Sequence, residues 1–212
     1  MNCPLCESPS KFFLSGESRE YWRCPVCRLI FVPPKYFIPR EEEVQHYLKH
    51  ENSLENEGYV QMFNEKIRII KDVCQGVQTV LDFGCGYEPV LKTLLAREGL
   101  TVTGYDPNFF PQIDPNTTYD IIISTETFEH FREPGKEMLV LFSRLAPRGY
   151  LAVMTRLAPQ ENHQSFANWY YKRDPTHIAF YDNDTFSWIA HNHGMEIIFN
   201  NEKDFVVLQR KP

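Results

Sequence analysis

Two groups of residues in this 212-residue chain have the types and spacing to do chemistry. Cys3-Pro4-Leu5-Cys6 and Cys24-Pro25-Val26-Cys27 form a pair of CxxC knuckles separated by residues 7–23. Four thiolates so arranged can close a tetrahedral site around Zn²⁺, and with all four committed the metal keeps no open position for a substrate. The second group is Leu81-Asp82-Phe83-Gly84-Cys85-Gly86, answered by Asp106. An apolar run of strand type from Val77 to Phe83 breaks into glycines. Pro89 opens a helix that Gly99 closes, and a second apolar run from Leu100 to Tyr105 delivers the acid. Strand, glycine turn, helix, strand, acid is a nucleotide-binding half-fold. Its glycines let backbone approach a ligand, and its acid meets ribose hydroxyls about 20 residues on.

The departures from a dinucleotide fingerprint indicate the ligand class. Gly-x-Gly-x-x-Gly needs a third glycine where Pro89 stands, and that glycine supports close contact with a pyrophosphate. Asp82 is a poor neighbour for an anionic pyrophosphate and a good one for a cationic amino group. S-adenosylmethionine (SAM) carries an ammonium, a sulfonium and a ribose, and no phosphate. The string Leu81 to Gly86 resembles motif I of the class I SAM-dependent methyltransferases, with Gly104-Tyr105-Asp106 in the place of their second motif. The resemblance continues through Tyr119 to His130 and Leu145 to Thr155, and covers most of residues 55–212.

That resemblance implies an α/β fold: a Rossmann-like sheet, mostly parallel, with an antiparallel carboxyl-terminal hairpin. It puts Asp82, Gly84, Cys85 and Gly86 along the methionine half of SAM, Asp106 with Pro107 at the ribose, and Glu126 beside the transferred methyl. Tyr59, at the start of a helix from Asn56 to Val73, either touches the methionine end or simply packs. Only a dozen residues separate Asp106 from the strand at Tyr119, so the outer third strand of a full family member is expected to be missing or very short. Asp114 is the one acid there that can stand near an adenine.

The chain divides into a zinc ribbon (1–32), a proline-punctuated linker with a helix opening at Arg40 (33–54) and the methyltransferase domain (55–212). Phe12, Phe13, Tyr21 and Trp22 give the ribbon too small a core to fold without metal. His46 and His50 stand four apart, which suits a solvated helix face better than a metal lacking a third ligand. A net charge of −6 with acids and bases interspersed argues against a large nucleic-acid footprint. No apolar signal segment opens the chain and no run of 18 apolar residues occurs. A cytoplasmic protein without a membrane span is therefore expected, in which clustered cysteines hold metal.

Tyr119 to Ser124 is a continuous apolar run suited to a buried parallel strand. The Thr125 to His130 string that follows resembles the family's Glu-x-x-Glu-His segment at the cofactor and substrate mouth. There His130 either acts as a general base or caps local structure. A helix from Glu133 to Leu145, a turn at Pro147-Arg148-Gly149 and a strand from Tyr150 to Thr155 follow. Residues 156–181 then break the alternation with aromatic and polar groups, where family members build the acceptor pocket. His177 is the first candidate for a general base, since imidazole titrates near neutrality; otherwise it orders the loop. Trp169, Tyr170 and Tyr181, with Arg173 and Asp174, are the acceptor-side candidates. Arg173 can meet an anionic group or pair with Asp174. A helix from Asp182 to His193 and strands from Met195 and Asp204 close the chain.

The expected protein is a SAM-dependent methyltransferase with a small-molecule acceptor, a structural zinc and a possible protein contact through the ribbon. The alternatives are a zinc-ribbon RNA methyltransferase and a non-catalytic SAM-fold binding protein.

Overall fold

The computed structural model describes residues 1–49, 52–160 and 163–212. His50, weighed with His46 as a pair, lies outside them. The chain opens with a hairpin, β1 (Lys11–Gly16) and β2 (Arg19–Arg23), to which β3 (Ile30–Phe31) pairs antiparallel. Each cysteine knuckle closes in the same way. Glu7 and Arg28 take left-handed conformations, and their N–H groups donate back to the carbonyls of Cys3 and Cys24. The linker passes through a single 3₁₀ turn at Pro34–Tyr36 into α1 (Arg40–Tyr47). Arg132 fixes it to the main body by donating to the Ile38 carbonyl and the Glu43 carboxylate.

Helix α2 (Glu57–Val73) is capped by Asn56, whose side chain accepts from the Tyr59 N–H, and it buries Phe63, Ile67 and Ile70 at helical spacing. The core strands come next: β4 (Thr79–Phe83), α3 (Val90–Arg97), β5 (Thr101–Tyr105) and β6 (Tyr119–Thr125). Val80, Leu81 and Ile121 to Ile123 are buried, as a central parallel strand pair requires. Residues 106–118 hold two turns, one in which Asp106 and Phe110 bridge and one capped by Asp114, and no strand, so the outer third strand is absent as expected and β5 forms the edge.

Helix α4 (Pro134–Ser143) is shorter than its apolar pattern predicts at both ends. The expected turn at 147–149 is a bulge instead. Strand β7 (Leu145–Met154) runs straight through it, pairing Leu145 with Tyr119 and then Tyr150 with Ile121. Arg148 takes the left-handed conformation that this excess requires. After α5 (His163–Asn168) come β8 (Ala179–Phe180), α6 (Asn183–Asn192), β9 (Met195–Asn200) and β10 (Phe205–Arg210). The main sheet has six strands in the order β5-β4-β6-β7-β10-β9, parallel from β5 to β7 and antiparallel beyond.

The ribbon and the 156–181 insert share one sheet, β1-β2-β3-β8, and one apolar cluster of Phe13, Tyr21, Ile30, Phe166, Tyr171 and Phe180. On its other side, Leu5 and Leu29 join the main core with Phe131, Met138 and Phe186. The chain therefore has no structural break at residue 32. No helix among the described residues is long and apolar enough to cross a membrane.

At one junction the Gly135 N–H donates to the Pro4 carbonyl at 3.0 Å. A Cβ at Gly135 would stand 2.7 Å from the Leu5 carbonyl oxygen. Gly135→Ala should therefore cost about 1–3 kcal/mol by overpacking. In thermal unfolding it should lower Tm by several degrees, whereas Gly58→Ala, where the nearest atom is a side-chain oxygen at 3.6 Å, should leave Tm unchanged or raise it.

Candidate active site

A cavity of about 700 Å³ opens at the carboxyl ends of β4, β5 and β6, where open α/β sheets hold their ligands. The β4–α3 turn forms one wall. Gly84 (φ +83°) and Gly86 (φ +67°) both need the left-handed region. A Cβ on Gly84 would also overlap the Thr127 side chain, whereas the space around Gly86 is open. The Gly84 and Cys85 N–H groups both donate to the Tyr105 carbonyl, tying the turn to the end of β5. Asp106 accepts the Gly86 N–H on Oδ2 at 3.2 Å, and those of Asn108 and Phe109 on Oδ1. The turn and its acid are thus locked together, with lone-pair capacity left on the carboxylate.

Asp82 is 1 % exposed, and neither carboxylate oxygen has a hydrogen-bond partner among the described residues. Burial pushes its carboxyl up to about 7. Glu126, held in a left-handed conformation (φ +49°) at the end of β6, is pushed up to about 8 by burial and by the Glu129 carboxylate. The Tyr171 hydroxyl lies between these two acids, within hydrogen-bond reach of both.

The insert forms the opposite wall, with Tyr170, Tyr171, Asp174 and His177 lining the cavity alongside His130. Each histidine donates Nδ1–H to a backbone carbonyl, His130 to Thr176 at 3.1 Å and His177 to Tyr171 at 2.7 Å. Burial lowers both, His177 to about 3 with help from neighbouring His130. Both rings are therefore neutral at physiological pH, with the lone pair on Nε2. Asp174 accepts from Thr176 on one oxygen and contacts His46 Nε2 at 3.1 Å with the other.

One cavity thus brings together Tyr59, Asp82, Gly84, Cys85, Gly86, Asp106, Pro107, Glu126, His130, Tyr170, Asp174 and His177. It leaves out three acceptor-side candidates. Trp169 packs on Phe166, Tyr171 and Phe180 in the cluster shared with the ribbon. Arg173 is exposed and does not line the cavity. Tyr181 is fully buried between Phe128 and Phe186, with its hydroxyl donating to the Phe128 carbonyl. Asp114 is exposed, capping its own turn through Asn116 and Thr117. Glu129 and Tyr47 escaped notice: the 3₁₀ turn Phe128–His130 aims Glu129 inward, and α1 brings Tyr47 edge-on to His130.

Apart from the cavity, the donor atoms of Cys3, Cys6, Cys24 and Cys27 lie within 4.8 Å of one another, with the Cys3–Cys27 and Cys6–Cys24 sulfurs 3.4 Å apart. Zn–S bonds of about 2.3 Å in a tetrahedron put sulfurs about 3.8 Å apart, so these four residues fit a closed zinc site.

The methyltransferase-domain profile matches residues 44–199, well over half of the chain. The chain belongs to the methyltransferase-domain family. Its fold is that of the class I methyltransferases. A SAM-dependent methyltransferase from Archaeoglobus fulgidus is 16 % identical with a TM-score of 0.51, over 71 % of this chain and 94 % of that one. One from Methanosarcina mazei is 17 % identical with a TM-score of 0.50, over 67 % and 96 %. At these identities the likeness is one of fold. An O-methyltransferase family protein from Burkholderia thailandensis is 14 % identical with a TM-score of 0.49, over 71 % of this chain, which spans only 57 % of its length. Comparison with curated proteins gives no match.

In this methyltransferase, a ribbon residue fixes the wall that the insert forms. Arg19, 7 % exposed, donates to the carbonyls of Lys172, Asp174 and Pro175. Buried Lys172 pairs in turn with Glu17. Arg19→Ala should raise amide hydrogen exchange across residues 170–178 by tenfold or more, because the Asp174 and Pro175 carbonyls lose their Arg19 donor and that of Lys172 keeps only the Tyr21 hydroxyl. Affinity for S-adenosylhomocysteine (SAH) should stay within twofold, since the β4–α3 turn and Asp106 lie on the opposite wall.

Proposed function

We propose that this methyltransferase transfers the SAM methyl to a small-molecule acceptor held under the 156–181 insert, and that Cys3, Cys6, Cys24 and Cys27 bind a structural Zn²⁺. The observation that carries the reading is the buried, unpartnered Asp82 carboxylate at the head of a glycine turn that Asp106 closes. A buried carboxylate without a donor is costly, and a cationic ligand group relieves that cost. In this reading Asp82, Gly84, Cys85 and Gly86 take the methionine half of SAM. Asp106 with Pro107 takes the ribose diol, Tyr59 the methionine end, and Glu126 the neighbourhood of the methyl. When bound, SAM supplies a methyl already activated on sulfonium. The chain's own contribution is then to orient the two partners and exclude water.

The cavity volume is in the range of small-molecule sites, and its acidic lining suits a cationic cofactor. Three ribbon arginines and a linker lysine have partners. Arg19 holds the insert, Arg23 pairs with Asp182, Arg28 faces Asp184 and Lys35 pairs with Glu20. Such pairing leaves little of the basic face that an RNA substrate needs. The four-cysteine site supplies folding energy to a ribbon that supports the acceptor wall.

Two variants test the cofactor half. Asp106→Ala should weaken SAH at least tenfold, about 1.4 kcal/mol, as loss of a charged contact to two hydroxyls requires. With its carboxyl at about 7 in the free protein, Asp82 is mainly protonated below that pH, and an arriving ammonium must displace the proton. SAH affinity should therefore rise with pH from about 6 to 8 and then level off. Asp82→Asn should bind weakly with no such slope. Wild-type calorimetry flat across this range would contradict the Asp82 assignment.

A further inference from the structure

Beside the cavity, on the wall that His130 and His177 line and with Glu129 buried behind them, lies a second set of electron-rich groups that the cofactor half does not use. Donor atoms of Glu129, His130 and His177 lie within 4.8 Å of one another. Both imidazoles spend Nδ1–H on a backbone carbonyl, at 3.1 and 2.7 Å. This is the hydrogen bond that sets the tautomer and orientation of metal-ligating histidines. The lone pairs are then on Nε2. His177 Nε2 faces the Asp174 carboxylate oxygen at 3.9 Å, two acceptors with no proton between them.

A separate observation concerns Glu129 itself. It is 0 % exposed, and its Oε2 has no hydrogen-bond partner among the described residues. The cavity-lining Glu126 carboxylate shares the Tyr171 hydroxyl with it, adding negative charge beside the cluster. Acceptor groups this concentrated, with one buried oxygen left unpaired, suit a cation.

We propose that Glu129, His130 and His177 form a divalent-cation site at the acceptor end of the cavity, distinct from the four-cysteine site. Two imidazoles and one carboxylate select a borderline transition metal such as Zn²⁺, Mn²⁺, Fe²⁺ or Co²⁺ over Mg²⁺ or Ca²⁺. Ligand bonds of about 2.0–2.2 Å put donor atoms about 3–4 Å apart, so the cluster, whose ligand atoms lie within 4.8 Å of one another, has to draw in by about an ångström to hold a metal. Three protein ligands leave coordination positions for an oxygen of the acceptor. The metal would thereby select acceptors bearing a hydroxyl or enol. This role for the metal rests on the methyl-transfer reading; the binding of metal does not.

The test is a titration of the full, zinc-loaded chain with Co²⁺ alone, following bound metal and visible absorption, with SAH affinity measured on the same samples. The expected result is one further Co²⁺ per chain without sulfur-to-metal charge-transfer absorption. Its affinity should fall at least tenfold in Glu129→Gln, His130→Ala and His177→Ala, and stay unchanged in His191→Ala. His177→Gln, which can still donate to the Tyr171 carbonyl, decides the matter if an alanine variant loses zinc or SAH binding and so fails as a folded protein. The proposal is overturned if the zinc-loaded wild type takes up no second metal, or if uptake is indifferent to His177→Gln. Loss of SAH binding by the wild type with Co²⁺ uptake intact would instead sink the cofactor reading and leave the metal site standing.

Discussion

A buried carboxylate oxygen without a hydrogen bond is among the costliest features a folded chain can keep, and here it occurs at both ends of one site. Asp82 lies at the head of the glycine turn and Glu129 at the floor beneath the insert, each essentially inaccessible and each with unpartnered oxygen. Burial raises both carboxyls to about 7, which partly relieves the cost by protonation. Such positions persist when a ligand supplies what the protein withholds. A cavity that holds an ammonium and a sulfonium at one end and a metal cation at the other satisfies both. On the proposed reading, the affinity for cations would follow from where the acids are buried more than from net charge.

Holding acids in this way requires rigid backbone behind them, and the two walls obtain it differently. The cofactor wall is local: β4, the turn, α3 and β5 are consecutive, and Asp106 closes the turn through the Gly86 N–H. The acceptor wall comes from an insert with little regular structure of its own. It gains support by adding β8 to the ribbon's sheet and by presenting three carbonyls to Arg19. The ribbon therefore supports the wall that the insert forms, and the four-cysteine cluster sits where it can stabilise that support.

This difference explains what could be read in the sequence. The cofactor wall was legible because strand, turn, helix and acid follow one another within about 30 residues, the length of a βαβ unit. The missing outer strand was equally legible from the short path between Asp106 and Tyr119. The acceptor wall was legible only in composition. Trp169, Tyr170, Tyr171 and Tyr181 have similar side chains, yet two line the cavity and two pack away from it. That division is set by pairing with β3 and by the packing of Tyr181 on Phe128, contacts remote in sequence, together with the packing of Trp169 on Phe166 and Phe180. The two-residue strand β8 carries no periodicity, so the continuity of ribbon and insert was invisible too. Glu129 was in plain view within its string, but only the 3₁₀ turn at Phe128–His130 shows which way it points.

The most direct test of the account is a calorimetric titration of the zinc-loaded protein with SAH, using NADH as the control ligand. The account predicts micromolar SAH binding and no detectable heat from NADH, because the site offers buried carboxylates and Pro89 where a pyrophosphate needs a third glycine. Absence of SAH binding, or equal binding of NADH, would contradict it and remove the cavity's assignment as a SAM site.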